Sequence, residues 1–160
     1  MDRNGLQAAA ISWADHFKID RSLVMAIIEQ ESGWRDDAIR FEPAYSWLLA
    51  PETFADKNHI SVNTERALQR FSVGPMQVMG AVCRELGYDG NLSLLAADPS
   101  ATIGYGVKHL SRLNKRYPKE ADTISAYNAG SPRQNITGAY SNQAYVDSVQ
   151  AILKRIRVTP

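Results

Sequence analysis

The sequence has little of what disulfide-bonded and metal-binding proteins require. It contains one cysteine and three histidines in 160 residues. An internal disulfide is therefore excluded, and no metal site is expected because the histidines are not spaced as ligands. The cysteine, Cys83, lies between Val82 and Leu86 in a helical apolar pattern. This pattern predicts a buried, unreactive thiol rather than a nucleophile.

Long apolar runs and blocks of like charge are also missing. No stretch approaches the ~20 apolar residues of a membrane-spanning helix, and the first residues lack the pattern of a signal peptide. The 18 Lys and Arg and the 17 Asp and Glu are dispersed and give a net charge of +1, so nucleic acid is not an expected partner. We expect a monomer made in the cytoplasm, for which an external substrate would require a removed leader, release by lysis or delivery in a virion.

The hydrophobic periodicity predicts one mainly α-helical domain over residues 1–160. Helices are expected over 5–18, 20–32, 75–85, 92–97, 99–117, 119–128 and 142–156. Residues 36–71 have no clear period and are expected to form an expanded loop region that lines or flanks a cleft. Within it, Thr64 to Arg70 could form one or two helical turns. No run of strands is expected.

Glu31 lies on the apolar side of the helix predicted over residues 20–32. Leu23, Ile27 and Glu31 recur at i, i+4 and i+8, whereas Glu29 points about 160° away and is expected to face solvent. Partial burial and the negative end of the helix dipole would both raise the pKa of a carboxyl group at this position. A carboxyl group that keeps its proton near neutral pH suits general acid catalysis, although a helix-end glutamate that extends into water fits the same pattern.

Two further segments carry polar groups next to glycine. In Ser72-Val-Gly-Pro-Met-Gln77, the glycine would let the backbone approach a ligand closely, and Gln77 offers an amide donor and acceptor. Ala126-Tyr-Asn-Ala-Gly130 presents a phenol and an amide where a helix stops. Each is equally explained by ordinary structure, the first as a helix start with buried methionines and the second as a glycine C-cap.

The order of these motifs resembles that of the soluble lytic transglycosylases and, more distantly, the goose-type lysozymes. The matching elements are Glu31-Ser32, Gly74-Pro-Met-Gln77 and Ala126-Tyr-Asn-Ala-Gly130. The resemblance implies a lysozyme-like helical fold whose cleft binds peptidoglycan strands of alternating N-acetylglucosamine and N-acetylmuramic acid. Pro75 departs from the usual leucine, and residues 36–71 lengthen the distance between the first two motifs. The segment from Arg40 to Trp47 is similar to a branch of phage and prophage wall-degrading enzymes.

The resemblance also implies a role for each matched residue. Glu31 would protonate the glycosidic oxygen between muramic acid and glucosamine and then accept the proton of the C6 hydroxyl. A 1,6-anhydro product would form without water, metal or cofactor. The other implied residues would bind the substrate: Ser32, Gly74, Met76, Gln77, Tyr127 and Asn128, with Tyr45 and Trp47 either stacking on sugar faces or packing in the core.

Two alternatives remain open from the residues alone. A hydrolase would need a second carboxylate to activate water, and Glu42 is the candidate, although an ion pair with Arg40 also explains Glu42. A wall-binding or virion structural module could have kept the fold without catalysis. A partly buried Glu31 argues against such a module, because binding alone does not require an acid there.

Overall fold

The computed structural model describes residues 1–158, and this part of the chain is mainly helical, as predicted. Its helices are α1 (Arg3–Phe17), α2 (Arg21–Ser32), α3 (Pro51–Lys57), α4 (Val62–Gln69), α5 (Gly80–Glu85), α6 (Leu92–Ala96), α7 (Pro99–Arg116), α8 (Glu120–Ala129) and α9 (Gln143–Val158). Its strands are β1 (Ile39–Phe41), β2 (Phe71–Val73) and β3 (Val78–Met79). Within the same residues, no helix is both long and apolar enough to cross a membrane.

The ends of the long helices follow from capping residues. Asp20 begins α2 by accepting a hydrogen bond from the backbone N–H of Ser22, and Gly33 ends it in the left-handed conformation. Asp98 caps α7 in the same manner, and Gly130 ends α8. These boundaries agree with the sequence-based expectations because a cap is a local signal.

Two apolar clusters form the interior. In the larger one, α1 packs on α7 and α2 packs on α9. Its buried residues include Leu6, Ile27, Ile28, Ile103, Leu110, Ile124, Val149 and Leu153. The smaller cluster lies between the strands and helices α5 and α6, and contains Val73, Val78, Cys83, Leu92 and Leu95. Cys83 is fully buried, as predicted, and burial raises the pKa of its thiol to about 12.

The expectation of an expanded loop region over residues 36–71 was wrong, except that the helical turns expected over Thr64 to Arg70 are confirmed by α4. This segment contains β1, α3 and α4, and its strand joins a three-stranded antiparallel sheet in the order β1-β2-β3. Ile39 pairs with Val73, and Ser72 pairs with Met79. Strands of two or three residues are too short to show a period of two, and β1 pairs with a strand that is distant in sequence.

The helix expected over residues 75–85 begins five residues late, at Gly80. Residues 74–77 form a turn instead, in which the Gln77 N–H donates to the Gly74 carbonyl over 3.0 Å. Gln77 has a φ of 49°, which is outside the helical region. Pro75 caused the error, since proline suits a tight turn as well as the first turn of a helix.

A buried ion pair joins the segment 36–71 to the rest of the domain. Arg84 of α5 binds both carboxylate oxygens of Glu65 of α4, over 2.8 and 2.9 Å, and both side chains are fully buried. Arg84 also donates to the carbonyls of Tyr88 and Gly90 and packs over the ring of Phe54. Every guanidinium nitrogen therefore has a partner, which is the condition under which a buried charge is tolerated.

Gln69, one turn after Glu65, extends this network toward the loop before α3. Its amide oxygen accepts from the Leu49 N–H over 2.8 Å, and its amide nitrogen donates to the Leu49 carbonyl and to Glu65. Arg70 donates to the Tyr45 carbonyl over 3.0 Å. Residues 45–49 are thereby attached to a buried network instead of extending freely from the surface.

Candidate active site

Glu31 is half-buried in the last turn of α2, close to the C-terminal helix. The hydroxyl of Tyr145 on α9 donates to Glu31 Oε1 over 2.5 Å. Burial raises the pKa of Glu31 above its ordinary value of 4.5, and this effect outweighs the Tyr145 hydrogen bond and the Arg40 charge, which lower it. The apolar helix face described above therefore produces a carboxyl group that holds its proton more strongly than an exposed glutamic acid does.

Tyr145 was missed as a site residue by the sequence analysis. It lies on the apolar stripe of α9, so its periodicity indicates only core packing, and 114 residues separate it from Glu31. Burial and the nearby Glu31 charge raise the pKa of the Tyr145 phenol, so its proton stays available for donation. The only sequence signal was a phenol on an otherwise aliphatic stripe, and a buried phenol requires a hydrogen-bond partner.

Arg40 and Glu42 provide the charges nearest to Glu31. They form an ion pair with a shortest distance of 2.6 Å between Arg40 Nε and Glu42 Oε1, which confirms the pairing considered from the sequence. The Arg40 charge lowers the pKa of Glu31 and the Glu42 charge raises it. Because the two charges oppose each other, burial determines the protonation of Glu31.

The turn of residues 74–77 packs against α7 through Gly74. Gly74 has a φ of 73°, and a Cβ atom there would lie 2.1 Å from the Thr102 hydroxyl, so no larger residue fits. The Gln77 amide donates to the carbonyls of Ala38 and Gly74, each over 3.0 Å, and accepts from the Ser72 hydroxyl over 3.0 Å. Gln77 therefore uses its amide to fasten the turn to the sheet.

Tyr127 connects the turn to α8. Its hydroxyl donates to the Met76 carbonyl over 2.8 Å. Burial, then the Glu31 charge, raises the pKa of Tyr127. Met76, within the turn, is fully buried. Asn128 is exposed, and its amide oxygen accepts a hydrogen bond from the Asn142 amide over 2.9 Å.

Ser32 completes the last turn of α2. Its hydroxyl donates to the Ile28 carbonyl and accepts from the Trp34 N–H, both over 3.1 Å. Only 8% of the residue is exposed. In this structure the side chain stabilises the helix end that carries Glu31.

A groove of about 770 Å³ extends beside these elements. Tyr45 and Trp47 line one part of it, Trp47 being 78% exposed, and Gln77, Tyr127 and Asn128 line another. Glu31 does not itself line the groove. Tyr127 does, and the Glu31 charge contributes to the raised pKa of this tyrosine.

His109 also lines the groove and was not expected there. Its ring lies 5.5 Å from that of Tyr127, and burial, aided by the Arg112 charge, lowers its pKa to about 4. His109 is therefore neutral at physiological pH. Among residues 1–158, no group of three or more His, Cys, Asp or Glu side chains is arranged to hold a metal ion.

The mainly helical architecture, with a half-buried acid in the last turn of α2, is consistent with a lysozyme-like domain. The family model described as "Transglycosylase SLT domain" matches residues 8–147. The chain therefore belongs to the transglycosylase SLT domain family, whose members degrade peptidoglycan by the lytic transglycosylase type of activity and act on the cell wall. No curated protein and no solved structure matches it. The similarity to phage enzymes and the monomeric state remain predictions.

Proposed function

We propose that this protein cleaves the β-1,4 bond between N-acetylmuramic acid and N-acetylglucosamine in peptidoglycan and releases 1,6-anhydro-N-acetylmuramic acid. The observation that carries the proposal is the environment of Glu31. Its carboxyl group is desolvated, has a raised pKa and accepts a hydrogen bond from Tyr145. An acid of this kind can protonate a leaving group at neutral pH.

One carboxyl group suffices for the proposed reaction. Glu31 donates its proton to the glycosidic oxygen as the C1–O bond breaks, and the 2-acetamido group of the substrate stabilises the positive charge at C1. The Glu31 carboxylate then removes the proton from the C6 hydroxyl, and O6 bonds to C1. The enzyme recovers its initial protonation state, and no water molecule or cofactor is consumed.

Tyr145 is proposed to position the acid. Its hydrogen bond to Oε1 orients the carboxyl group so that Oε2 carries the transferable proton. The same bond stabilises the carboxylate that forms after protonation of the leaving group. The ion pair with Arg40 supports a structural role for Glu42, so we assign no proton transfer to it.

The sugar contacts are proposed from exposure and from the groove. Asn128 is exposed on the groove wall and is proposed to bind acetamido or hydroxyl groups, while Tyr45 and Trp47 are proposed to stack on sugar faces. The remaining site residues are proposed to act mainly by shaping the turn and the helix end around the scissile bond: Ser32, Gly74, Met76, Gln77 and Tyr127. The polar side-chain groups of Ser32, Gln77 and Tyr127 already have protein partners.

The test is mass spectrometry of muropeptides released from purified sacculi by the wild type, Glu31→Gln and Glu29→Gln. Glu29 is the matched control because it lies on the same helix and pairs with Arg155 away from the site. We expect anhydro products from the wild type and Glu29→Gln, and a loss of about 10²- to 10⁴-fold for Glu31→Gln, the usual contribution of a general acid and base.

Other outcomes identify the alternatives. Products with a reducing end would indicate a hydrolase and make Glu42→Gln the next variant. If folded wild-type protein binds sacculi but releases nothing from walls of several bacteria, a binding module replaces the enzyme.

The Tyr145 assignment is tested by Tyr145→Phe, with Tyr140→Phe as control because Tyr140 donates to a carboxylate, Asp122, elsewhere in the fold. The Tyr145 bond lowers the pKa of Glu31, so its removal should move the alkaline limb of the pH–activity profile to higher pH. Tyr140→Phe should leave that limb in place. An unshifted profile for Tyr145→Phe would assign the tyrosine to packing alone.

A further inference from the structure

One end of the groove carries a concentration of positive charge. Arg112, Arg116 and Arg133 line it, and within residues 1–158 the only acidic lining residue is Glu85. His109 is neutral because its pKa is about 4, so this wall has a net charge of two positive units. The whole chain has a formal net charge of only +1. The positive charge is therefore collected at the groove.

Two of the three arginines have no acidic partner. Arg112 contacts Glu85 over 3.2 Å. Within residues 1–158, neither Arg116 nor Arg133 forms an ion pair: Arg116 lies 5.3 Å from the ring centroid of Tyr117, and Arg133 donates to the Ser131 hydroxyl over 3.2 Å. Both side chains are exposed and can rotate toward a ligand.

The position of the arginines is not explained by helix stability alone. Arg116 ends α7, where a cation complements the helix dipole. Arg133, however, belongs to the irregular segment of residues 130–142 and has no such role. The two side chains come from different parts of the chain and both line the same groove; the part of the lining that carries them is called the rim.

A neutral glycan does not require this charge. Sugar hydroxyl and acetamido groups are bound by amides and aromatic faces, which the groove provides through Asn128, Tyr45 and Trp47. A guanidinium group instead matches the geometry of a carboxylate, with two parallel hydrogen bonds. The peptide stems attached to muramic acid carry free carboxylates and leave the glycan at its side, so they can contact a groove rim.

We propose that Arg116 and Arg133, aided by Arg112, bind the free carboxylates of the peptide stem, so that this rim selects strands whose muramic acid residues carry acidic stems. The inference rests on the proposed function, because it assigns a further part of the same substrate. It makes stem charge, in addition to the glycan, a determinant of cleavage.

The test compares initial rates of the wild type, the double variant Arg116→Gln/Arg133→Gln and Lys115→Gln at subsaturating substrate. Lys115 is the matched control, since it is a neighbouring exposed cation of α7 that does not line the groove. The substrates are native sacculi, sacculi whose carboxylates have been converted to methylamides with a carbodiimide, and strands freed of stems by an amidase and then methylamidated at the lactyl carboxylates that the amidase exposes. On native sacculi the double variant should be slower by about 3- to 10-fold, as expected for two exposed charge pairs.

On methylamidated sacculi and on stem-free strands, the wild type should fall to the rate of the double variant. An equal loss for Lys115→Gln would indicate general attraction to an anionic wall and would overturn the inference. A deficit of the double variant that persists on methylamidated sacculi would also overturn it.

Binding separates this inference from the proposed reaction. Calorimetric titration of Glu31→Gln with a soluble disaccharide-tetrapeptide should give a Kd that the two arginine substitutions weaken and that salt also weakens. If the wild type cleaves nothing while this dependence is present, the proposed reaction fails and the stem site stands. Equal Kd values with and without the arginines would refute the stem site whether or not cleavage occurs.

Discussion

Replacing Arg84 with methionine should be among the most damaging single changes to this fold. The substitution leaves the fully buried Glu65 carboxylate without its cation and removes the donors of the Tyr88 and Gly90 carbonyls. The apolar methionine side chain can occupy part of the space beneath Phe54 but cannot satisfy any of these groups. The loss is therefore one of electrostatic and hydrogen-bond compensation more than of volume.

The expected cost is about 3–5 kcal/mol in the free energy of unfolding, the usual result of breaking a buried pair by removing one partner. A domain of this size has about 5–15 kcal/mol in total, so the variant should be close to its stability limit. The matched control is Arg66→Met. Arg66 pairs with Glu52 over 2.6 Å in the same segment, but both side chains are about half exposed, and its loss should cost less than about 1 kcal/mol.

Urea unfolding followed by circular dichroism would measure these values, with Glu65→Leu and the double variant Glu65→Leu/Arg84→Met completing a cycle. The double variant should be more stable than the sum of the two single losses predicts, because removing both partners leaves no unpaired buried charge. Equal losses for Arg84→Met and Arg66→Met would refute the reasoning. So would single losses that add without a coupling energy.

Three further outcomes can be checked on the purified protein. Glu31→Gln should raise the melting temperature near pH 8. Because the pKa of Glu31 is raised in the folded state, its ionised form opposes folding as the pH rises through that pKa, so the gain should vanish below the ordinary value of 4.5. A gain independent of pH would contradict this. Tyr127→Phe should cost about 1–3 kcal/mol in urea unfolding, since it leaves the buried Met76 carbonyl without its donor, and an unchanged midpoint would contradict the assigned bond. Cys83 should not react with iodoacetamide at neutral pH until urea unfolds the protein, because burial raises its pKa to about 12; rapid labelling of the native protein would show an accessible thiol.

Local signals account for the part of the fold that was predicted correctly. The aspartate and glycine caps determine where α2 begins and ends, and the apolar period places Glu31 on its inward face. The expected burial of Cys83 and the expected pairing of Arg40 with Glu42 were confirmed for the same reason. In each instance the partners lie within a few residues of one another, so their relation can be seen in the sequence.

Tertiary structure alone decided what surrounds the acid and how the segment 36–71 folds. Tyr145 meets Glu31 only because α9 packs on α2, and Arg84 meets Glu65 across 19 residues. The three-residue strand β1 forms only when β2, about 30 residues later, supplies its hydrogen bonds. Sequence by itself determined the long helices α1, α2, α7, α8 and α9, where they end to within about two residues, and the inward position of one glutamate. The packing of those helices determined the burial that raises the pKa of this glutamate and the phenol that orients it, because desolvation and long-range hydrogen bonds exist only after the chain has folded.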